Sequence, residues 1–156
     1  MPRRVPAELA ECFQALVKYN KFPVRRIIAH ALHDIAKVCH AGASCSYDAP
    51  CLVIAQILDT ELTERYLLPA LDTFLKDIDD VRVGAIRSFS HILRVISPAK
   101  RKHYLETLWD IAHTTDNWRW RLHIARQMTR ICVLYPPDVT AANIVPLTFA
   151  LCRDKV

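Results

Sequence analysis

The sequence predicts an all-α protein built from repeated helix pairs, and three observations lead there. The first is a scarcity of glycine: the 156 residues contain only Gly42 and Gly84. Dinucleotide folds, phosphate-cradling loops and multi-hairpin β proteins need glycine at positive φ or where backbones approach closely, and two glycines cannot supply those positions. The second is composition: 52% hydrophobic and 24% charged residues describe an ordinary core-forming chain with room for one domain. The third is internal repetition. The stretch Val81–Ile96 returns 39 residues later and is foreshadowed 57 residues earlier, with each apolar position staying apolar.

Moved forward, Val81, Arg82, Ala85, Ile86, Phe89, Ile92, Leu93 and Ile96 fall on Trp120, Arg121, Ile124, Ala125, Met128, Ile131, Cys132 and Tyr135. Moved back, they fall on Val24, Arg25, Ile28, Ala29, Leu32, Ile35, Ala36 and Cys39. These spacings trace one stripe of an α-helix. Each copy follows another amphipathic helix. The first covers Ala7–Tyr19 with Leu9, Cys12, Phe13, Leu16 and Val17 inward; the second runs from Tyr66 to Asp77 on Leu68, Leu71, Phe74 and Leu75. The third uses Leu105, Leu108, Ile111 and Ala112, and Ile144–Asp154 begins a fourth. Short polar turns join the helices of a pair: Asn20–Pro23, Asp77–Asp80 and Thr115–Trp118. Pro23 suits a first helical turn, and Asp80 and Asn117 suit capping.

Helix, tight turn, helix at a period near 39 is the unit of a HEAT-type α-solenoid, here of about three and a half repeats. The expected organisation is a single array over 1–156, with repeats at about 7–39, 61–96 and 100–135, a partial repeat at 140–156 and an insertion at 40–60. Half a repeat cannot bury its own stripe, so Ile144, Val145, Leu147 and Leu151 are expected to be partly uncovered and to support self-association. The chain reads as a piece of a longer array. In each inner helix an arginine recurs (Arg25, Arg82, Arg121) five residues after Asn20, Asp77 or Asp116, and Asp154 starts a fourth such set. The expectation is a ladder in which arginine and acid tie turn to turn.

No catalytic, cofactor-binding or metal residues are assigned. His30, His33 and Asp34 form a His-x-x-His-Asp string, but they fall in the columns of Arg87, Ser90 and His91, on the polar side of the stripe, where a solvated face is expected. Cys39, His40, Cys45 and Cys51 have spacings that fit no common zinc module. No serine lies in a Gly-x-Ser-x-Gly elbow, and no nucleophile has a base at a diagnostic spacing. The expected role is therefore binding and not enzymatic. The longest uncharged run, Val139–Cys152, is broken by Pro146 and is shorter than the roughly 20 apolar residues of a membrane span. Without a secretory signal at the start, the six cysteines read as reduced thiols in the cytoplasm, the nucleus or both. Cys12, Cys132 and Cys152 are expected to pack as small hydrophobes.

The net charge of +5 lies wholly in residues 79–156. From Arg82 to Arg130 ten basic residues face three acidic ones, with Arg87, Arg94, Arg126 and Arg130 on inner helices and Lys100–Lys102 in a turn. Such a face accepts acidic peptides; the rival reading is a basic adaptor for nucleic acid or an acidic transport cargo, although no nucleic-acid motif is present. The turn Asp116-Asn117-Trp118-Arg119 is the most suggestive docking element. Trp120 belongs to the buried stripe, so Trp118 points elsewhere beside Arg119, and a tryptophan with a neighbouring arginine is typical interface anchor chemistry. Asp79 lies on the corresponding turn of the preceding pair.

The phrases Asp80–Ser88, Lys100–Leu105, Asn117–Arg121 and Ala150–Val156 stand in an order that resembles the C-terminal repeats of HEAT-repeat regulatory subunits of serine/threonine phosphatases, most closely the phosphatase 4 type. The resemblance spans about residues 60–156; residues 1–40 fit the repeat generally, and 40–60 match nothing in the family. It implies a non-catalytic scaffold that holds a phosphatase catalytic subunit and steers its substrates. It implies catalytic-subunit contacts on the turns, at Asp79, Asp116, Asn117, Trp118 and Arg119; Arg87 and Arg126 on the inner helices are expected partner-binding residues from the basic face itself.

Overall fold

The computed structural model describes residues 7–40, 63–114 and 116–154, and among them all regular structure is helical. It forms an all-α helical-repeat fold whose chain divides into two compact units, Met1–Ile96 and Ser97–Val156, with the division falling between the second and third helix pairs. Among the described residues no helix is long and apolar enough to cross a membrane.

The first unit contains α1 (Ala7–Val17), α2 (Phe22–His40), α3 (Leu68–Leu75) and α4 (Asp79–Val95). α4 starts 57 residues after α2, as the repeat shift requires. Pro23 occupies the first turn of α2, where its missing N–H costs no hydrogen bond. Among the described residues, α2 and α4 make the most extensive helix–helix contact. Their stripes bury Ala29 and Leu32 against Val81, Ala85, Ile86, Phe89, Ile92 and Leu93, while α3 adds Leu68, Ala70, Leu71 and Phe74. Gly84 sits where the two helices cross most closely: a Cβ there would stand 2.9 Å from the His30 backbone nitrogen and 3.0 Å from the Ala29 carbonyl carbon.

α1 departs from the expected face. Ala10 and Val17 are buried and Phe13 is half-buried, whereas Cys12 and Leu16 are exposed. The helix meets α2 and α3 along a narrow i, i+3, i+7 stripe, which leaves the flanking i, i+4 pair in solvent. Cys152 is also exposed and Cys132 half-buried, so the three described thiols do not pack as core hydrophobes. The insertion at 40–60 and the side chains of Cys39, His40, Cys45 and Cys51 lie outside the described residues, as does the side chain of His33.

A π-helical turn over Thr63–Leu67 leads into α3, and another over Thr140–Ile144 leads into α10 (Val145–Cys152). Both stand immediately before an x-Pro pair, Leu68-Pro69 and Val145-Pro146. A proline ring lacks the N–H and crowds the carbonyl four residues back, so the backbone widens to i→i+5 bonding. In the second case the Val145 N–H donates to the Thr140 carbonyl.

The second unit contains α5 (Pro98–Arg101), α6 (Tyr104–His113), α7 (Trp118–Ala125), α8 (Met128–Cys132), α9 (Pro137–Val139) and α10. Its core is Tyr104, Leu108, Ile111, Trp120, Ile124, Met128, Ile131, Tyr135, Ile144 and Leu147. α7 begins 39 residues after α4, but this third inner helix is broken at Arg126–Gln127. Gln127 replaces Ala31 and Ser88 of the earlier copies, and its side-chain amide donates to the His123 carbonyl at 2.8 Å. The backbone N–H of Gln127 turns instead to Ile124 O at 2.9 Å, and the i→i−4 ladder is interrupted. Ile144 and Leu147, expected to be uncovered, are buried, because α10 packs on α6 and α7 and its π-helical turn packs on α8. Val145 is exposed and Leu151 half-exposed, as expected.

Candidate functional site

The intra-repeat turns are positioned by arginine–aspartate pairs. In the first unit the Arg25 guanidinium donates to both Asp77 oxygens, Nε at 2.6 Å and Nη2 at 2.9 Å, and its Nη1 donates to the carbonyls of Tyr19 and Asn20. In the second, Arg121 donates through Nε and Nη2 to the Asp154 carboxylate and through Nη1 to the Thr114 carbonyl. Each arginine thus fastens its own turn, through backbone carbonyls, to the carboxylate of the next turn. Asn20 contributes its carbonyl and not its side chain. This is the ladder expected from the recurring arginine, seen at a rung in each unit.

Both ion pairs are mostly shielded; the Arg25 and Asp77 side chains are 18% and 11% exposed. The hydrogen bonds from Arg25 hold the Asp77 carboxyl below its ordinary range against the opposing effect of burial, and the Ile78 N–H at 2.7 Å reinforces them.

The turn before α7 displays the docking residues. Asn117 caps the helix, its Oδ1 accepting from the Arg119 N–H at 3.1 Å. That cap fixes where Trp118 emerges: Trp118 is 49% exposed whereas Trp120, two residues on, is 8% exposed. The Arg119 guanidinium lies over the Trp118 ring, 5.8 Å from its centroid. Asp116 is exposed beside them, and Arg126 is exposed at the far end of α7. Trp118, Arg121, Leu122, Ala125, Leu151 and Asp154 line an open hollow of about 280 Å³. Leu151 was expected to be partly uncovered; its meeting with Leu122 and Ala125 in one apolar floor was not read from the sequence. Ala125, expected in the buried stripe in the column of Ala29 and Ile86, is exposed, and Leu122 beside it stands in the column of the polar or short-chained Arg26 and Val83.

In the first unit, Asp79 and Arg87 are exposed two turns apart on α4, so they do not converge on one point. Asp79 and Asp80 occupy the first turn, where carboxylates favour the helix dipole. Asp80 does not cap: the cap position is Ile78, and Asp80 pairs loosely with Arg26 at 3.8 Å. Arg87 lies 3.4 Å from His30 Nδ1. His30 is half-buried and not on a solvated face, because the missing side chain at Gly84 lets the imidazole edge pack onto α4. Burial, with the nearby Arg87 charge, pushes its pKa down. Arg94 and Arg130 are exposed, as expected for a basic face. Arg101 is turned instead to the Leu134 carbonyl at 2.9 Å. Among the described residues no group of three metal-ligating side chains comes together.

No family model matches the chain, and no solved structure matches it. Serine/threonine-protein phosphatase 4 regulatory subunit 1 from Homo sapiens is 30% identical over 150 residues, and the proteins of that name from Mus musculus and Rattus norvegicus match equally. The similarity covers 95% of this chain, so it reaches well beyond residues 60–156 into the first helix pair. It spans 14% of the length of those relatives. The chain is a distant relative of a segment of phosphatase 4 regulatory subunit 1.

Proposed function

We propose that the chain acts as a non-catalytic scaffold or regulatory element that binds a serine/threonine phosphatase catalytic subunit of the phosphatase 4 type and steers its substrates, in the cytoplasm, the nucleus or both. The observation that carries this reading is the 30% identity over 95% of the chain to a regulatory subunit of that phosphatase. The geometry supports it through the turn Asp116–Arg119. A half-exposed Trp118 clamped by Arg119 beside an apolar hollow has the make-up of an interface anchor, worth about 2 kcal/mol or more on truncation. Asp79 and Arg87, exposed on the first unit, and Arg126, exposed on the second, are further partner contacts of this reading, each taken on its own unit.

The test is capture from cell lysate with the chain and with Trp118→Ala, read by mass spectrometry. Recovery of phosphatase catalytic subunits by the first and a several-fold loss in the second is the expected result. Equal recovery moves the site away from the turn; absence of any phosphatase overturns the function. The basic tract from Arg82 to Arg130 favours a second reading, as an adaptor for nucleic acid or an acidic cargo. Phosphate binding would weaken steeply between 50 and 200 mM salt, whereas a tryptophan-centred interface responds weakly.

A further inference from the structure

Only one serine or threonine in the sequence is followed by proline, Ser97-Pro98, and a lysine stands three residues after it in Ser97-Pro98-Ala99-Lys100. Proline lacks the N–H, fixes its own φ and holds the residue before it extended, so an enzyme that accepts proline directly after a hydroxyl residue reads a distinctive backbone. A base three residues on offers its charge to an acidic subsite. The structure supplies the matching shape. α4 ends at Val95, and Ile96 (φ −77°, ψ 159°) and Ser97 (φ −62°, ψ 148°) are both extended. Ser97 is half-exposed, and Pro98, Ala99 and Lys100 are exposed. Ser88 and Ser90, the other two described serines, are buried. The single turn of α5 buries no residue, and the N–H groups of Lys100 and Arg101 close it on the Ser97 carbonyl at 3.1 and 3.2 Å. It opens at little cost, because a one-turn helix has almost no propagated ladder to lose. Past the lysine the chain is fastened again: Arg101 donates to the Leu134 carbonyl, and the Tyr135 hydroxyl donates to the Arg101 carbonyl. The stretch that straightens therefore holds the proline and the lysine and stops there.

We propose that Ser97 is a phosphorylation site for a proline-directed serine/threonine kinase with an acidic pocket for the residue three positions on. Ser97 Oγ forms a bond to the γ-phosphorus of MgATP as the bond from that phosphorus to its bridging oxygen breaks; the hydroxyl proton passes to the base of the kinase, and ADP leaves. The phosphoserine carries about two negative charges at neutral pH. From Val81 to Leu105 the sequence has no acidic residue and six basic ones, Arg82, Arg87, Arg94, Lys100, Arg101 and Lys102, so the phosphate enters a stretch of one charge sign. The site stands whether or not the chain holds a phosphatase.

The test uses the folded full chain with MgATP and a purified cyclin-dependent kinase, which reads both the proline and the later base. A mitogen-activated protein kinase, which reads the proline alone, runs beside it. Intact mass should rise by a single phosphate, fragmentation should place it on Ser97, and Ser97→Ala should abolish it. Lys100→Ala should lower kcat/KM about tenfold for the first kinase and leave the second within about twofold. Lys100 is exposed, so this variant keeps the native melting temperature and separates recognition from folding. No phosphate on the folded chain overturns the proposal, as does incorporation that survives Ser97→Ala. So does modification that appears only above the melting temperature, which would mean that the buried Ile96 and α5 keep the serine closed. An unchanged kcat/KM of the first kinase for Lys100→Ala overturns the acidic pocket.

Discussion

Gly84→Ala is a small substitution that should be felt across the first unit. The added Cβ would stand 2.8 Å from His30 Cδ2, 2.9 Å from His30 N and 3.0 Å from the Ala29 carbonyl carbon. Comfortable separations between such atoms are about 3.5 Å, so each contact is short by roughly 0.5 Å or more. His30 can swing its ring aside, but the other two atoms belong to the α2 backbone, so relief requires the helices to part. Parting lengthens the contact from Ser88 Oγ to the Ala29 carbonyl, already 3.4 Å, and opens space around Ile86, Leu32 and Phe89 in a close-packed interior. Overpacking of this kind costs about 1–3 kcal/mol, with backbone clashes at the upper end, and alanine returns about 1 kcal/mol of helix propensity. The net expectation is a loss of about 1–2 kcal/mol, or a fall in Tm of roughly 5–15 °C for a unit of this size. Thermal unfolding followed by far-UV circular dichroism reads it directly. An unchanged or raised Tm would mean that the α2–α4 crossing is looser than its geometry states.

Other consequences follow from the same structure. A double-mutant cycle with Arg25→Gln and Asp77→Asn should give a coupling energy of about 1–2 kcal/mol by urea unfolding, above the usual surface pair because the fork is bidentate and shielded. The Asp77 carboxyl is held low when folded, so its contribution is full above the ordinary carboxylate pKa of about 4 and is lost as pH falls through the folded value. Asp77→Asn should flatten the acid limb of stability against pH. His30 is also held low, which means the unfolded chain takes up its proton first. Stability should fall as pH drops below about 6.5, and His30→Asn should shrink the slope between pH 7 and pH 5. Tyr135→Phe removes the hydrogen bond from the hydroxyl to the Arg101 carbonyl at 3.0 Å and should cost about 1 kcal/mol in the second unit.

The inner helices were legible in the sequence because one stripe recurs at fixed shifts, and repetition reports packing that a single helix cannot. Arg25 and Arg121 were legible for the same reason, their acids recurring in step. α1 was not: Leu9, Cys12, Phe13, Leu16 and Val17 are all apolar, and only the width of the face offered by α2 and α3 decides that Leu16 stays out. His30 was misplaced because its column is polar in the other copies, and the cause lies 54 residues away at Gly84. At the docking edge, the emergence of Trp118 followed from Trp120 lying in the stripe. The floor of the hollow did not, since it joins Leu122 to Leu151, and only the folded chain brings those together.

The proline-linked π-helical turns bear on how such a chain can change length over evolution. An ordinary insertion in a helix pair shifts the turn and pulls an arginine away from its aspartate. A π-helical turn instead absorbs one extra residue within the outer helix, before α3 and before α10, and leaves the downstream turn where it was. The outer helices of this chain follow one another at unequal steps, 37 residues from Leu68 to Leu105 and 40 from Leu105 to Val145, while the inner helices α4 and α7 hold to 39. Between the second and third pairs the unequal outer steps leave Asp77 and Asp116 each five residues before its arginine, Arg82 and Arg121.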